Sequence, residues 1–258
     1  MEWRTSAPRT CDSQPCLDAS LADLDEERFA LGYLRRAVAA NVLAENNRSL
    51  QHKLASLRLF DLRRSCPTHA GLLILNERPT HFLPGAYVQL VRYVGNDQTT
   101  AVVAEARASG DLHTVLQTLD LLLLAHITSR PQPATAMSEE MVHDYPSVAL
   151  RELLVNAMMH RNYASNAPVR MLVFADHLAI HNPGGLYGEA TTAAFPQAVD
   201  YRNPVVAEAV RVFGFANRFG QGVVRAQRAL DLNGNPPAEF TFDGHSFSVV
   251  VRKRAAGG

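Results

Sequence analysis

The chain has 258 residues, 47% of them hydrophobic and 19% charged, and its 25 basic side chains balance 25 acidic ones. That balance is the composition of a globular protein and excludes a disordered or fibrous chain. A net charge of zero removes any global pull toward polyanions, so contact with nucleic acid would depend on local patches. The length suits one large domain or two modest ones. The apolar run Leu121–Ala125 is far too short to cross a membrane, and the amino terminus is too polar for a signal peptide. Cys11, Cys16 and Cys66 form neither an even set nor a CxxC pair, so they read as reduced thiols of a cytoplasmic protein.

In chain order, residues 1–20 lack periodicity and read as an irregular arm. Asp23–Ala44 opens with acidic residues and carries apolar Phe29, Leu31, Leu34, Val38 and Leu43, which predicts a helix; Leu50–Leu62 predicts a second, shorter one. Strands are expected over the apolar run Gly71–Leu75, the alternating Tyr87–Tyr93, and Thr99–Ala106. Leu112–Ile127 reads as a helix. The two prolines of Ser129–Pro133 then mark a linker and a domain boundary. The expected organisation is therefore an α+β domain over residues 21–130 and a second domain over 134–253.

The second half begins with a helix from Ser147 to His160. Strands follow at Val169–Ala175 and Leu178–His181 with a tight turn at Asp176-His177, then short helices near Pro204–Val212 and Gln221–Leu230. Phe240–Phe242 and Ser246–Arg252, split by Asp243-Gly244, read as a hairpin.

Two features of this half point to chemistry. Glu152, Asn156 and His160 fall at i, i+4 and i+8 and put one polar stripe on an otherwise apolar helix. The carbonyl and carboxylate oxygens of such a stripe suit Mg²⁺ beside a phosphate chain, with Asn156 as the metal ligand and Glu152 polarising a water. His160 and Arg161 end the helix, where positive charge either caps the carbonyls or contacts ligand phosphates. The second feature is a strand running into Asn182-Pro-Gly184-Gly185, a turn whose N–H groups can face a ligand. Downstream, Arg202-Asn-Pro opens one helix, with Arg202 expected to face the site and bind the ligand, and Phe219-Gly220-Gln-Gly222 opens another, where a glycine-rich helix start favours anions. Each feature also has a plain structural reading, as a backbone-satisfying amide, a cap or a packing glycine. No Gly-Lys-Ser/Thr loop, Gly-x-Ser-x-Gly elbow or His-Glu-x-x-His helix is present.

Read in order, Glu152–Tyr163, His181–Leu186, Arg202–Pro204 and Phe219–Gly222 resemble the carboxy-terminal region of bacterial and archaeal transcriptional regulators that carry a Schlafen-type or Alba-like amino-terminal domain and are often labelled RecG-related. Upstream, Leu21–Asp25, Cys66–Leu75, Phe82–Ala86 and Val91–Gly95 resemble the stretch that links the two domains of that family, and the Alba-like domain itself is expected to be missing here. The resemblance implies a two-layer α/β sandwich of the histidine-kinase, gyrase and Hsp90 type, with ATP and Mg as cofactors. By it, Glu152 matches the water-activating glutamate, Asn156 the magnesium-binding asparagine, and His160 a position that often holds aspartate. Asn182 matches the aspartate that binds the adenine amino group, beside Gly184 and Gly185, while Gly220 and Gly222 match a later glycine box that closes over phosphates. Asparagine at 182 lacks the charge that strengthens such a bond.

Three functions follow as expectations. One is an ATP-binding module of a transcriptional regulator, another a slow Mg-dependent ATPase, and the last a degenerate scaffold for dimerisation or partner contacts. A homodimer and no membrane contact are expected. Any DNA binding by this chain is expected to be weak and salt-sensitive, through Arg35, Arg36, Arg58, Arg63 and Arg64 in a winged-helix-like unit.

Overall fold

The computed structural model describes residues 10–126, 129–135, 138–188, 190, 195–196, 200–216 and 221–254, with the side chains of 129–141 left out of the description. In chain order the elements are helices α1 (Leu34–Ala37), α2 (Ala40–Ala44) and α3 (Leu50–Ser56), strands β1 (Phe60–Asp61) and β2 (Cys66–Pro67), helix α4 (His69–Leu75), strands β3 (Val88–Tyr93) and β4 (Val102–Ala108), and helix α5 (Leu112–His126). Strands β5 (Ser129–Thr135) and β6 (Ser138–His143) precede helix α6 (Ser147–His160), strands β7 (Val169–Val173) and β8 (His177–Pro183), helices α7 (Pro204–Val212) and α8 (Gly222–Asn233), and strands β9 (Glu239–Phe242) and β10 (Ser246–Arg252).

The fold is mixed α/β around a six-stranded sheet of order β4-β3-β7-β8-β10-β9. Every pair in it is antiparallel except β3 with β7. Alternation sorts its side chains onto two faces. Leu90, Met171, Val173, Leu178, Ile180, Val249 and Val251 join the main core with the helices, while Val91, Leu172, Phe174 and Ala179 form a small apolar cluster on the opposite face.

This sheet runs across the expected domain boundary. Strands β3 and β4, from the expected first domain, pair through β7 with the strands of the second, and one core draws on residues from Cys16 to Val251. Ser129–Pro133 is not a linker but most of β5, which pairs with β6 in a separate two-stranded sheet. Pairing with a neighbouring strand overrides the two prolines because this hairpin is all edge, where proline is tolerated.

The amino-terminal third differs most from expectation. Residues 10–20 are not a loose arm: Asp12 is fully buried and accepts from the N–H groups of Val205 (2.7 Å) and Val206 (3.1 Å), capping α7 from the far end of the sequence. The single helix expected over Asp23–Ala44 is shorter and broken: residues 26–37 are continuously helical, with Arg28–Tyr33 π-helical and running straight into α1, and Val38 in an extended conformation separates them from α2.

Gly71–Leu75 is helix, not strand. Residues 70–75 are all buried, so the segment shows no amphipathic period, and its start is fixed by Thr68, whose hydroxyl accepts from the Gly71 N–H at 3.1 Å. A Cβ at Gly71 would run into the Leu59 carbonyl. The cysteines are free thiols, and burial pushes all three above the usual thiol range.

Candidate functional site

Helix α6 supplies one wall of the site. Its apolar residues Leu150, Leu153, Leu154, Val155 and Met158 are buried, while Glu152, Asn156 and His160 line a cavity of about 520 Å³ between α6, the end of β8, and the start of α8. Strand β8 brings Asn182, opposite Phe247 of β10, and the following turn adds Gly184 and Gly185. Gly222, Gln221 and Arg225 come from the start of α8. Leu153, Ile180, Leu186, Phe195, Phe247 and Val249 give the cavity an apolar body, the usual character of a small-molecule site with a few polar anchors.

The polar anchors differ in how they are satisfied. Asn182 is 5% exposed, and its Oδ1 is buried with no hydrogen-bond partner. Among the described residues the Asn156 amide has no hydrogen-bond partner either. Glu152, by contrast, pairs through Oε1 with Arg225 at 2.8 Å. Burial raises the Glu152 carboxyl above its ordinary range, an effect that Arg225 and Arg151 oppose.

His160 is not the cation expected at a helix end. Burial, reinforced by the neighbouring Arg202 and opposed by Asp200, lowers its imidazole to about 4. It is therefore neutral near pH 7, stacked on Tyr201 with ring centroids 5.4 Å apart. Such a ring offers one donor, one acceptor and a flat face to a ligand, and no charge to a phosphate.

Two of the expected ligand-binding arginines do other work. Arg161 is absent from the cavity wall and fully buried; its guanidinium donates to the carbonyls of Gly85, Ser165 (3.1 Å) and Ala167 (3.0 Å). Arg202 is a strut: it donates to the His160 carbonyl (3.1 Å) and the Gly185 carbonyl (3.2 Å), tying the end of α6 to the glycine turn. Gly220 lies outside the described residues.

The glycine turn is also built differently from expectation. Gly184 adopts φ +106°, which favours glycine, but its N–H donates to the His245 carbonyl at 2.7 Å and so is taken before any ligand arrives. A Cβ at Gly185 would strike the Asp243 carbonyl. These glycines permit close packing against the β9–β10 turn.

The sequence pattern did not single out Arg225, Tyr201, Asp200 or the aromatic pair Phe195 and Phe247. Arg225 had a usable signal, since it stands three residues after Gly222 and so shares its face of α8. The others come together only through the tertiary fold.

Comparisons with known proteins place part of this architecture. Residues 166–251 match a family described as "Putative ATP-dependent DNA helicase recG C-terminal". The match contains Asn182, the glycine turn, Arg202 and Gly222, and begins after α6, so Glu152, Asn156 and His160 lie outside it. Among solved structures, the DIP2311 protein from Corynebacterium diphtheriae superposes with a TM-score of 0.71 at 21% identity, over 97% of this chain and 49% of that one. The chain thus spans about half the length of that relative and shares its fold. No curated protein matches. The carboxy-terminal region is therefore distantly related to an ATPase family. No helix among the described residues is long and apolar enough to cross a membrane.

Proposed function

We propose that the cavity binds an adenine nucleotide and that the protein is the nucleotide-binding module of a transcriptional regulator. The observation that carries this reading is the unpartnered Asn182 Oδ1 in the cavity wall. A buried acceptor without a donor costs about 1–3 kcal/mol, and a ligand amino group reaching it would recover that cost. Asn182 would take the exocyclic amino group of the base, with the apolar body of the cavity around the ring.

The unpaired Asn156 amide fits the part of a magnesium ligand. Mg²⁺ is commonly held by one or two protein oxygens together with phosphate oxygens and waters, and it would supply charge neutralisation along the phosphate chain. The regulatory role rests on the family resemblance, and the exposed arginines Arg35, Arg36, Arg58, Arg63 and Arg64 are where DNA contact would be sought. Titrating labelled duplex at 50 and 200 mM salt tests that part, and weak binding lost at the higher salt is expected.

Calorimetry with ATP, with and without Mg²⁺, tests the central claim. Saturable heat that disappears in Asn182→Val supports it; no heat and no thermal shift at millimolar nucleotide overturns it. A slow ATPase is the second reading, favoured by the raised carboxyl of Glu152, which suits a general base. Phosphate release that is equal in wild type and Glu152→Ala would remove it.

A further inference from the structure

The contact between α6 and α8 joins the candidate base to a cation from the opposite wall. Arg225 Nη1 lies 2.8 Å from Glu152 Oε1, and the two side chains are unequally placed: that of Glu152 is 10% exposed and that of Arg225 42%. The other carboxylate oxygen, Oε2, lies 3.1 Å from where a Cβ on Gly222 would stand, so the carboxylate rests against the first turn of α8. Arg151, its sequence neighbour, is turned away to Asp120 at 3.1 Å. Among the described residues of the cavity wall the cationic side chains are Arg211 and Arg225. Arg211 is paired with Glu208, which lies outside the wall, whereas the partner of Arg225 is the candidate base itself.

We propose that Arg225 is the phosphate-recognising residue of this cavity and that Glu152 holds it in reserve: the ion pair is a latch that a ligand phosphate opens by taking Arg225 over. This rests on the nucleotide reading of the cavity for the identity of the ligand. The exchange is favoured by charge, because a phosphate carries more negative charge than a carboxylate and accepts the guanidinium fork bidentately. The partner that moves is the half-exposed one. Glu152, left behind, is then unpaired next to the phosphate chain, where a base is needed. In the ligand-free state the same carboxylate is engaged, so the latch couples the availability of the base to the presence of phosphate.

Isothermal titration of the full chain with adenosine, ADP and inorganic pyrophosphate tests this, using wild type, Arg225→Gln, Glu152→Gln and the double variant, each first checked for an unchanged melting profile. Arg225→Gln is expected to weaken ADP about tenfold and adenosine less than twofold. Glu152→Gln is expected to tighten ADP about fivefold, because it frees Arg225 from a partly solvated ion pair. That gain should vanish in the Arg225→Gln background. If Glu152→Gln tightens ADP equally in both backgrounds, the carboxylate acts by plain repulsion and the latch is wrong. If adenosine binds and ADP binds no better in wild type, or Arg225→Gln leaves ADP unaffected, the latch fails while the nucleotide reading stands. If neither nucleoside nor nucleotide binds but pyrophosphate binds through Arg225, the nucleotide reading fails and the latch stands. If no probe binds, both fall.

Discussion

Polar residues behind the cavity are tied to the backbone by several bonds each, whereas two amides on its wall make none. Behind it, Arg161 answers three backbone carbonyls, Asn203 donates to the carbonyls of Met159 (2.9 Å) and Arg161 (2.8 Å), and Asp12 accepts from two amides at the start of α7, although Arg161 Nε and Asn203 Oδ1 are themselves buried without a partner. On the wall, Asn156 and Asn182 have unanswered amide groups, and His160 is kept neutral. Buried polar groups that bond the backbone hold a fold in place, and removing them costs stability. Groups left open in a cavity cost stability while they remain and return it only when something binds. The frame and the wall should therefore respond in opposite directions to mutation.

The largest effect is expected at Arg161. Arg161→Met takes the donor from the Ser165 and Ala167 carbonyls, leaves the Gly85 carbonyl only the Tyr87 N–H, and should destabilise the protein by about 3–5 kcal/mol. Urea denaturation measures this, and a loss below about 1 kcal/mol would show that the frame does not depend on it.

The pH dependence tests the wall. A histidine in the unfolded chain titrates near 6.5, whereas His160 in the folded protein titrates at about 4. Between those values the unfolded state binds the extra proton, so stability falls as pH drops from 6.5 toward 4, by up to about 3 kcal/mol for this residue. Burial lowers His69, His113 and His181 as well, with the same sign. The informative measurement is the difference between wild type and His160→Gln, whose melting temperature should fall less steeply over that window. Parallel curves would place the proton elsewhere.

Asp12→Ala returns to the frame with a smaller expected loss, about 2 kcal/mol, from a helix cap that also accepts from the Thr10 hydroxyl at 2.6 Å. A variant as stable as wild type would mean that residues 10–20 are dispensable to the core, as the sequence pattern had implied.

The frame was harder to read than the wall for a physical reason. Helix α6 and strands β7, β8 and β10, five to fourteen residues long, carry a local pattern or end at marked turns such as Asp243-Gly244, so sequence alone was enough to locate Glu152, Asn156, His160 and Asn182. The misread pieces depend on distant partners. Asp12 has meaning only beside Val205, and the fully buried run 70–75 shows no alternation to separate strand from helix. The prolines of β5 signal a break unless β6 is known to pair with them. Arg161 and Arg202 read as ligand contacts because a terminal arginine near glycines looks the same whether it faces a phosphate or a carbonyl. Only the fold distinguishes the two.

Asn182 sharpens the comparison most, although its effect on stability should be the smallest. Its Oδ1 has no partner in a strand otherwise paired through Ile180 and Phe247, so Asn182→Val replaces an unsatisfied buried amide with a β-branched group suited to the site. The change should lie within about 1 kcal/mol of wild type, and on the stabilising side if the orphaned oxygen dominates. A site that hydrogen-bonds a ligand group is expected to lose much more in binding than in folding when that contact goes, so adenosine affinity should drop tenfold or more. Thermal melts and calorimetry on the same variant separate the two outcomes. A large loss of stability without any change in affinity would make Asn182 part of the frame and dissolve the distinction.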